Sequence, residues 1–77
     1  MKEYKLIRYI DMYPSSEGDG MLVETMTHDG GRLFIDLDDF NKAYALRCSL
    51  SSLPPEASMV VWSDEEGKIY FEEKDDG

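Results

Sequence analysis

Short runs of mostly apolar residues recur along the chain, separated by polar stretches that contain Gly, Pro or Asp, a pattern typical of β-strands joined by turns. Three such runs, at residues 5–13, 21–27 and 32–35, are rich in β-branched and aromatic residues and predict three strands. Two more strands are predicted at residues 58–62 and 68–72. A stretch with a different period separates the two groups.

That stretch repeats its apolar residues at helical spacing. Phe40, Ala43, Leu46 and Leu50 fall on one stripe, which predicts an amphipathic helix with these side chains in the core. Pro54 follows closely, and proline cannot continue a helix because it lacks the backbone N–H. The helix is therefore expected to end before that residue.

Turn-forming residues join the strands into two hairpins. Asp29 and Gly30 stand between two apolar runs and predict a two-residue turn that places Thr27 opposite Arg32. A four-residue loop at 64–67 closes the second hairpin. With these registers, four apolar side chains are expected on the outer face of the sheet, away from the helix: Val23, Phe34, Val61 and Tyr70.

The element order β-β-β-α-β-β predicts an α+β fold, a small antiparallel sheet of about five strands with one helix packed on one face. The chain has 77 residues, which suffice for one hydrophobic core, so residues 1–77 are expected to form a single domain. Residues 73–77 are expected to be a frayed tail.

Charge narrows the possible partners. The chain has 17 acidic and 8 basic residues and a formal net charge of −9, so it repels phosphate and is not expected to bind nucleic acid or an anionic membrane directly. Cys48 is the only cysteine, which excludes an intramolecular disulfide. Arg8 interrupts the apolar segment that a signal peptide needs. We expect a cytoplasmic protein without a membrane span.

Most of the acidic residues fall in residues 14–40 and 56–77. Carboxylates at i and i+2 of a strand share a face about 7 Å apart, so the hairpins can present rows of negative charge to a basic groove of another protein. In size and charge the chain resembles small phage anti-CRISPR and anti-restriction proteins. The leading hypothesis is a non-enzymatic inhibitor that imitates nucleic acid. Its expected contact residues are Asp36, Asp38, Asp39, Asp64, Glu65, Glu66, Glu72, Glu73, Asp75 and Asp76.

Two alternative hypotheses assign other roles to the acidic residues and to the apolar outer face. The acids also suit a surface that serves only solubility. Phe34, Val61 and Tyr70 on the outer face suit a small cytosolic adaptor or subunit that dimerises, so both a monomer and a homodimer are possible.

A third hypothesis comes from residues 33–42. This segment resembles the first strand-to-helix turn of nucleotidyl cyclase and polymerase palm domains, where an Asp at the strand end holds Mg²⁺. The resemblance implies a metal-dependent enzyme that uses Asp36, Asp38 and Asp39, but the Gly-Gly-Asp-Glu-Phe turn of that family is missing from the sequence. Helix capping by Asp36 or Asp38 explains the same acids. We predict capping, with no catalytic residue, metal site or cofactor.

Overall fold

A computed structural model describes residues 2–15 and 20–71 of the chain. The elements follow the predicted order: β1 (Lys2–Pro14), β2 (Met21–Thr27), β3 (Arg32–Leu37), α1 (Phe40–Ser51), β4 (Met59–Ser63) and β5 (Ile69–Phe71). The strands form one antiparallel sheet in the order β3-β2-β1-β4-β5, and α1 packs against β1, β2 and β3. The predicted α+β fold is confirmed. The tail predicted at 73–77 lies outside the described residues.

β1 is the central strand and joins the two halves of the sheet. Its first part pairs with β4, from Lys2 to Leu6, and its second part pairs with β2, from Leu6 to Pro14. The register with β2 shifts on both sides of Tyr9, and such irregularities bend and twist a strand. The edge strands β3 and β5 come within 8 Å of each other between Cα atoms, so the sheet curves around its core.

The core lies between the sheet and α1. Of the predicted helical stripe, Ala43, Leu46 and Leu50 are buried, whereas Phe40 is 54% exposed. The prediction for Phe40 was wrong because this residue lies about 90° around the helix from the centre of the other three, at 3.6 residues per turn. Its ring stacks on Tyr44 instead, with 6.3 Å between ring centroids.

The N-terminus of α1 is capped by Asp39, whose side chain accepts a hydrogen bond of 2.8 Å from the backbone N–H of Asn41. The prediction of Asp36 or Asp38 as the cap was wrong. β3 runs on to Leu37 and takes Asp36 into the strand, and the residue directly before the helix is Asp39. The free amides of the first turn select the nearest carboxylate.

The first hairpin turns through a three-residue loop. The N–H of Thr27 donates to the carbonyl oxygen of Gly31 at 3.0 Å, and the N–H of Gly30 donates to that of Thr27 at 3.0 Å. Gly30 has a φ of 90°, as expected for a type I turn that ends in a glycine bulge. Arg32 therefore lies opposite Met26, and the predicted register was wrong by one residue.

The second hairpin repeats this construction. The N–H of Asp64 donates to the carbonyl oxygen of Lys68 at 3.0 Å, and the loop glycine has a φ of 84°. Trp62 lies opposite Tyr70, whereas the predicted four-residue loop would have placed Ile69 there. This register was also wrong by one residue, for the same reason.

These registers change which side chains face the core. Val23 and Val61 are 0% exposed, so the prediction that they lie on the outer face was wrong. A shift of one residue moves every side chain of a strand to the opposite face. Phe34 and Tyr70 do lie on the outer face, 51% and 48% exposed.

Candidate protein-binding site

The outer face of β1, β2 and β3 combines aromatic and acidic side chains. Its residues stand in cross-strand rows, which run Tyr13–Leu22–Asp36, then Asp11–Glu24–Phe34, then Arg8–Met26–Arg32. The first two rows hold the group that we call the Phe34 patch: Asp11, Tyr13, Glu24, Phe34 and Asp36. Asp11, Tyr13, Phe34 and Asp36 are exposed on this face, whereas the side chain of Glu24, which contacts Tyr13 and Arg32, is 16% exposed.

Glu24 is held in place at the centre of the patch. One carboxylate oxygen accepts a hydrogen bond of 2.6 Å from the hydroxyl of Tyr13, and the other lies 3.4 Å from Nε of Arg32. The hydrogen bond to Glu24 is the main cause that raises the pKa of Tyr13 to about 12, and the charge of Asp11 acts in the same direction. The phenol therefore stays protonated and keeps the carboxylate oriented.

Asp11 lies directly opposite Glu24 on the neighbouring strand. Its side chain accepts a hydrogen bond of 2.8 Å from the N–H of Met12, and it has no ion pair among the described residues. Like charges directly opposite each other destabilise a sheet. With Asp36, the patch holds three carboxylates, of which Arg32 contacts one. The patch is thus suited to a positively charged ligand.

Asp64, predicted as a partner contact, has a structural role in the tip of the second hairpin. Its carboxylate accepts hydrogen bonds from the N–H groups of Glu66 and Lys68, both at 2.9 Å, and from the hydroxyl of Tyr70 at 3.1 Å. The bond from Lys68 is the main cause that lowers the pKa of Asp64. Glu65 and Glu66 are exposed at this tip, where their charge is free to face a partner.

The acids at the start of α1 serve separate surfaces. Asp36 belongs to the outer face of β3, whereas Asp38 and Asp39 line an open depression with Phe40 and Lys42. Within residues 2–15 and 20–71, no three His, Cys, Asp or Glu side chains are grouped as metal ligands. The hypothesis of a metal-dependent enzyme at Asp36, Asp38 and Asp39 gains no support.

The predicted acidic residues do not form one described surface. The hairpin tip at 64–67 lies beside the Lys2 end of β1, and Asp36 lies beside its Pro14 end. The remaining predicted acids lie outside the described residues: Glu72, Glu73, Asp75 and Asp76. The apolar residues predicted for dimerisation are also separated: Phe34 and Tyr70 are on the two edge strands, and Val61 is in the core.

Sequence reasoning missed Asp11, Tyr13 and Glu24. A signal for Glu24 was present, because Val23 and Thr25 are β-branched neighbours that both turn inward and leave Glu24 on the other face. The corresponding alternation in β1 is interrupted by its register shifts, so the position of Asp11 could not be obtained from the period of the sequence.

No family model, curated protein or solved structure matches the chain. In the part of the chain that the structure describes, no helix is long and apolar enough to cross a membrane.

Proposed function

We propose that the protein is a non-enzymatic binding module that inhibits a partner by occupying the partner's basic, nucleic-acid-binding surface. The position of Asp11 directly opposite Glu24 carries this proposal. A surface that serves only solubility needs no such pair, because the same charges placed apart would repel each other less. Arg32 contacts Glu24 but not Asp11, so a basic partner that reaches Asp11 relieves the remaining repulsion and the pair favours the bound state.

The wider charge of the molecule supports the same function. Asp36 is the diagonal neighbour of Glu24 across β2 and β3, at a separation of about 7–8 Å. The carboxylates of the patch thus form a spaced group of negative charges, as phosphates do along a nucleic acid. The net charge of −9 steers a basic partner toward the protein and raises the association rate. We also propose a cytoplasmic location, because Cys48 is a free thiol.

The proposal is tested with a fluorescent nona-arginine peptide and a DNA duplex that competes for it. The wild-type protein should bind the peptide and displace the DNA. Binding should weaken steeply between about 0.1 M and about 1 M salt, because the Debye length falls from about 10 Å to about 3 Å. Affinity that does not change with salt, or failure to displace DNA, would overturn the proposal.

Two matched double variants locate the contact. Asp11→Asn with Glu24→Gln removes two charges from the patch, and Glu65→Gln with Glu66→Gln removes two from the hairpin tip. We expect the patch variant to weaken peptide binding and the tip variant to have a much smaller effect. The reverse result would keep the inhibitory function and move the contact to the tip. Equal, small effects of both variants would contradict recognition by these acids.

A second candidate function is that of an adaptor or subunit that dimerises through the outer face. The exposure of Phe34 and Tyr70, 51% and 48%, favours it. The charge of −9 on each copy opposes it. Sedimentation velocity distinguishes the two functions, since a dimer that dissociates in Phe34→Ser would support self-association over capture of a basic partner.

A further inference from the structure

We infer that the Phe34 patch receives an arginine side chain of the partner, and that Arg32 occupies part of this place when the partner is absent. The inference rests on the proposed function and names the group that the patch recognises. It is carried by the open ring of Phe34, the fixed carboxylate of Glu24 and the loose contact of Arg32.

Among the described residues, no cation lies over the ring of Phe34, although three other rings have one. Three rings among the described residues have one over their face: Tyr4 has Lys2 at 5.3 Å, Tyr9 has Arg47 at 5.2 Å, and Tyr70 has Lys68 at 5.7 Å. Phe34 is more exposed than Tyr70, and Arg32 is two residues away on the same face, but no cation lies over Phe34 in the described part of the chain. Its face is open to a cation from outside.

Arg32 makes only a weak contact with the patch. Its Nε lies 3.4 Å from one oxygen of Glu24, and its side chain is 45% exposed. The pair makes a single contact that is longer than the usual length of about 2.7–2.9 Å for a charge-assisted hydrogen bond, so a ligand with better geometry can displace Arg32 even though the side chain of Glu24 is only 16% exposed. Glu24 itself does not need Arg32 to keep its orientation, because the hydroxyl of Tyr13 holds its other oxygen at 2.6 Å.

The geometry fits arginine better than lysine. A guanidinium is planar, so it can stack on the ring of Phe34 while its N–H groups reach the carboxylate of Glu24 on the neighbouring strand. It is also less strongly hydrated than the ammonium of lysine, which is a compact point charge. Cross-strand neighbours lie about 4.5–5.5 Å apart between Cβ atoms, so one side chain can contact Phe34 and Glu24 together.

The first experiment compares nona-arginine with nona-lysine, peptides of equal charge. The wild-type protein should bind nona-arginine at least about threefold more tightly, as expected for one added cation–π contact. Phe34→Leu should remove most of this preference. Tyr44→Leu is the matched control, because Tyr44 is also 51% exposed but lies on α1, and it should keep the preference.

The second experiment tests whether Arg32 occupies the site. Arg32→Ala and Arg8→Ala each remove one positive charge from the same cross-strand row, but only Arg32 contacts Glu24. Both variants should bind nona-arginine more tightly, and Arg32→Ala should gain clearly more. Circular dichroism checks that each variant is folded before binding is measured.

The outcomes separate the inference from the proposed function. Salt-dependent binding with no preference for arginine, or with equal gains in Arg32→Ala and Arg8→Ala, overturns the inference and leaves the proposed function standing. Absence of any salt-dependent peptide binding overturns both. A preference that is lost in Phe34→Leu and kept in Tyr44→Leu supports arginine recognition at this patch.

Discussion

Gly30 and Gly67 occupy equivalent positions in the two hairpin turns, with φ angles of 90° and 84°. Each donates its N–H to the carbonyl oxygen of the residue three positions earlier, Thr27 at 3.0 Å and Asp64 at 3.1 Å. A Cβ atom built on either glycine would have nothing within 4 Å. Backbone conformation, and not lack of space, therefore requires glycine at both positions.

Replacing either glycine should destabilise the fold by a small, measurable amount. Gly67→Ala and Gly30→Ala should each cost about 1 kcal/mol in the free energy of unfolding, because a Cβ disfavours positive φ. Gly67→Asn should cost less, since asparagine tolerates this conformation. Urea denaturation measures the difference. An alanine variant as stable as the wild type would show that the turn relaxes to another form.

Leu46 anchors α1 to the sheet and is 0% exposed. Leu46→Ala should lower the free energy of unfolding by about 2–5 kcal/mol, through lost burial and the cavity left behind. Phe40→Ala and Tyr44→Ala should change it by less than about 0.5 kcal/mol beyond their own stacking, because both side chains are exposed. A small effect of Leu46→Ala would mean that the helix packs through a different face.

The acid sensitivity of the second hairpin should depend on Asp64. Its pKa is lowered from the ordinary value of 3.8, first by the N–H of Lys68 and also by the hydroxyl of Tyr70. Because folding lowers this pKa, the ionised carboxylate of Asp64 stabilises the folded state relative to the unfolded chain. Its stabilising contribution is therefore complete above about pH 4 and is lost as the pH falls through the lowered pKa.

Thermal unfolding followed across this acid range checks the expectation. Asp64→Asn has no titrating group at this position, so its Tm should fall less on acidification than that of the wild type. Asp38→Asn is the control, because Asp38 is exposed and makes no side-chain hydrogen bond in the described structure. Parallel pH profiles of Asp64→Asn and wild type would contradict the hydrogen bonding at the tip.

The pairing of Tyr13 with Glu24 predicts an unusual titration. Hydrogen bonding to Glu24 raises the pKa of Tyr13 from 10.0 to about 12, so the protonated phenol is favoured by folding. Its contribution is complete below about pH 10 and is lost as the pH rises toward the folded pKa. NMR of ¹³C-labelled tyrosine should show the late titration. Glu24→Gln should move it down toward the ordinary value, whereas Glu65→Gln should leave it unchanged.

The order and type of the elements could be predicted because each depends on local pattern. The β-branched and apolar residues of Met21–Thr27 indicate a strand, and the apolar spacing of Ala43, Leu46 and Leu50 indicates a helix. Such patterns come from the need to bury one face, which the structure fulfils in both elements.

The registers could not be predicted, because the same turn residues allow loops of different length. Asp29 and Gly30 suit the centre of a two-residue turn, and they equally suit the end of a three-residue loop. Only packing decides between them, by burying Val23 or leaving it outside. The same ambiguity in the second hairpin gave the wrong face for Val61.

For the candidate site, the sequence predicted the kind of residue involved but not its position. An excess of acid predicted a basic partner, but not which carboxylates stand together. Asp64 was predicted to contact a partner, but its carboxylate accepts hydrogen bonds from the backbone of its own turn. Asp11 was not predicted as a site residue, and it lies opposite Glu24 because the register of β1 with β2 shifts between Tyr9 and Asp11. The geometry of the second hairpin turn decides the role of Asp64, and the pairing of β1 with β2 decides the position of Asp11.

The division of β1 between two partner strands also has a consequence for how the protein folds. β1, β2 and β3 follow one another in the chain and can assemble through hairpin contacts alone, whereas the pairing of Tyr4 with Val61 must wait for β4 to emerge on the far side of α1. Long-range pairing of this kind is slow because the intervening chain loses entropy first. The pairing of β1 with β4 is therefore expected to form later in folding than the hairpin contacts among β1, β2 and β3.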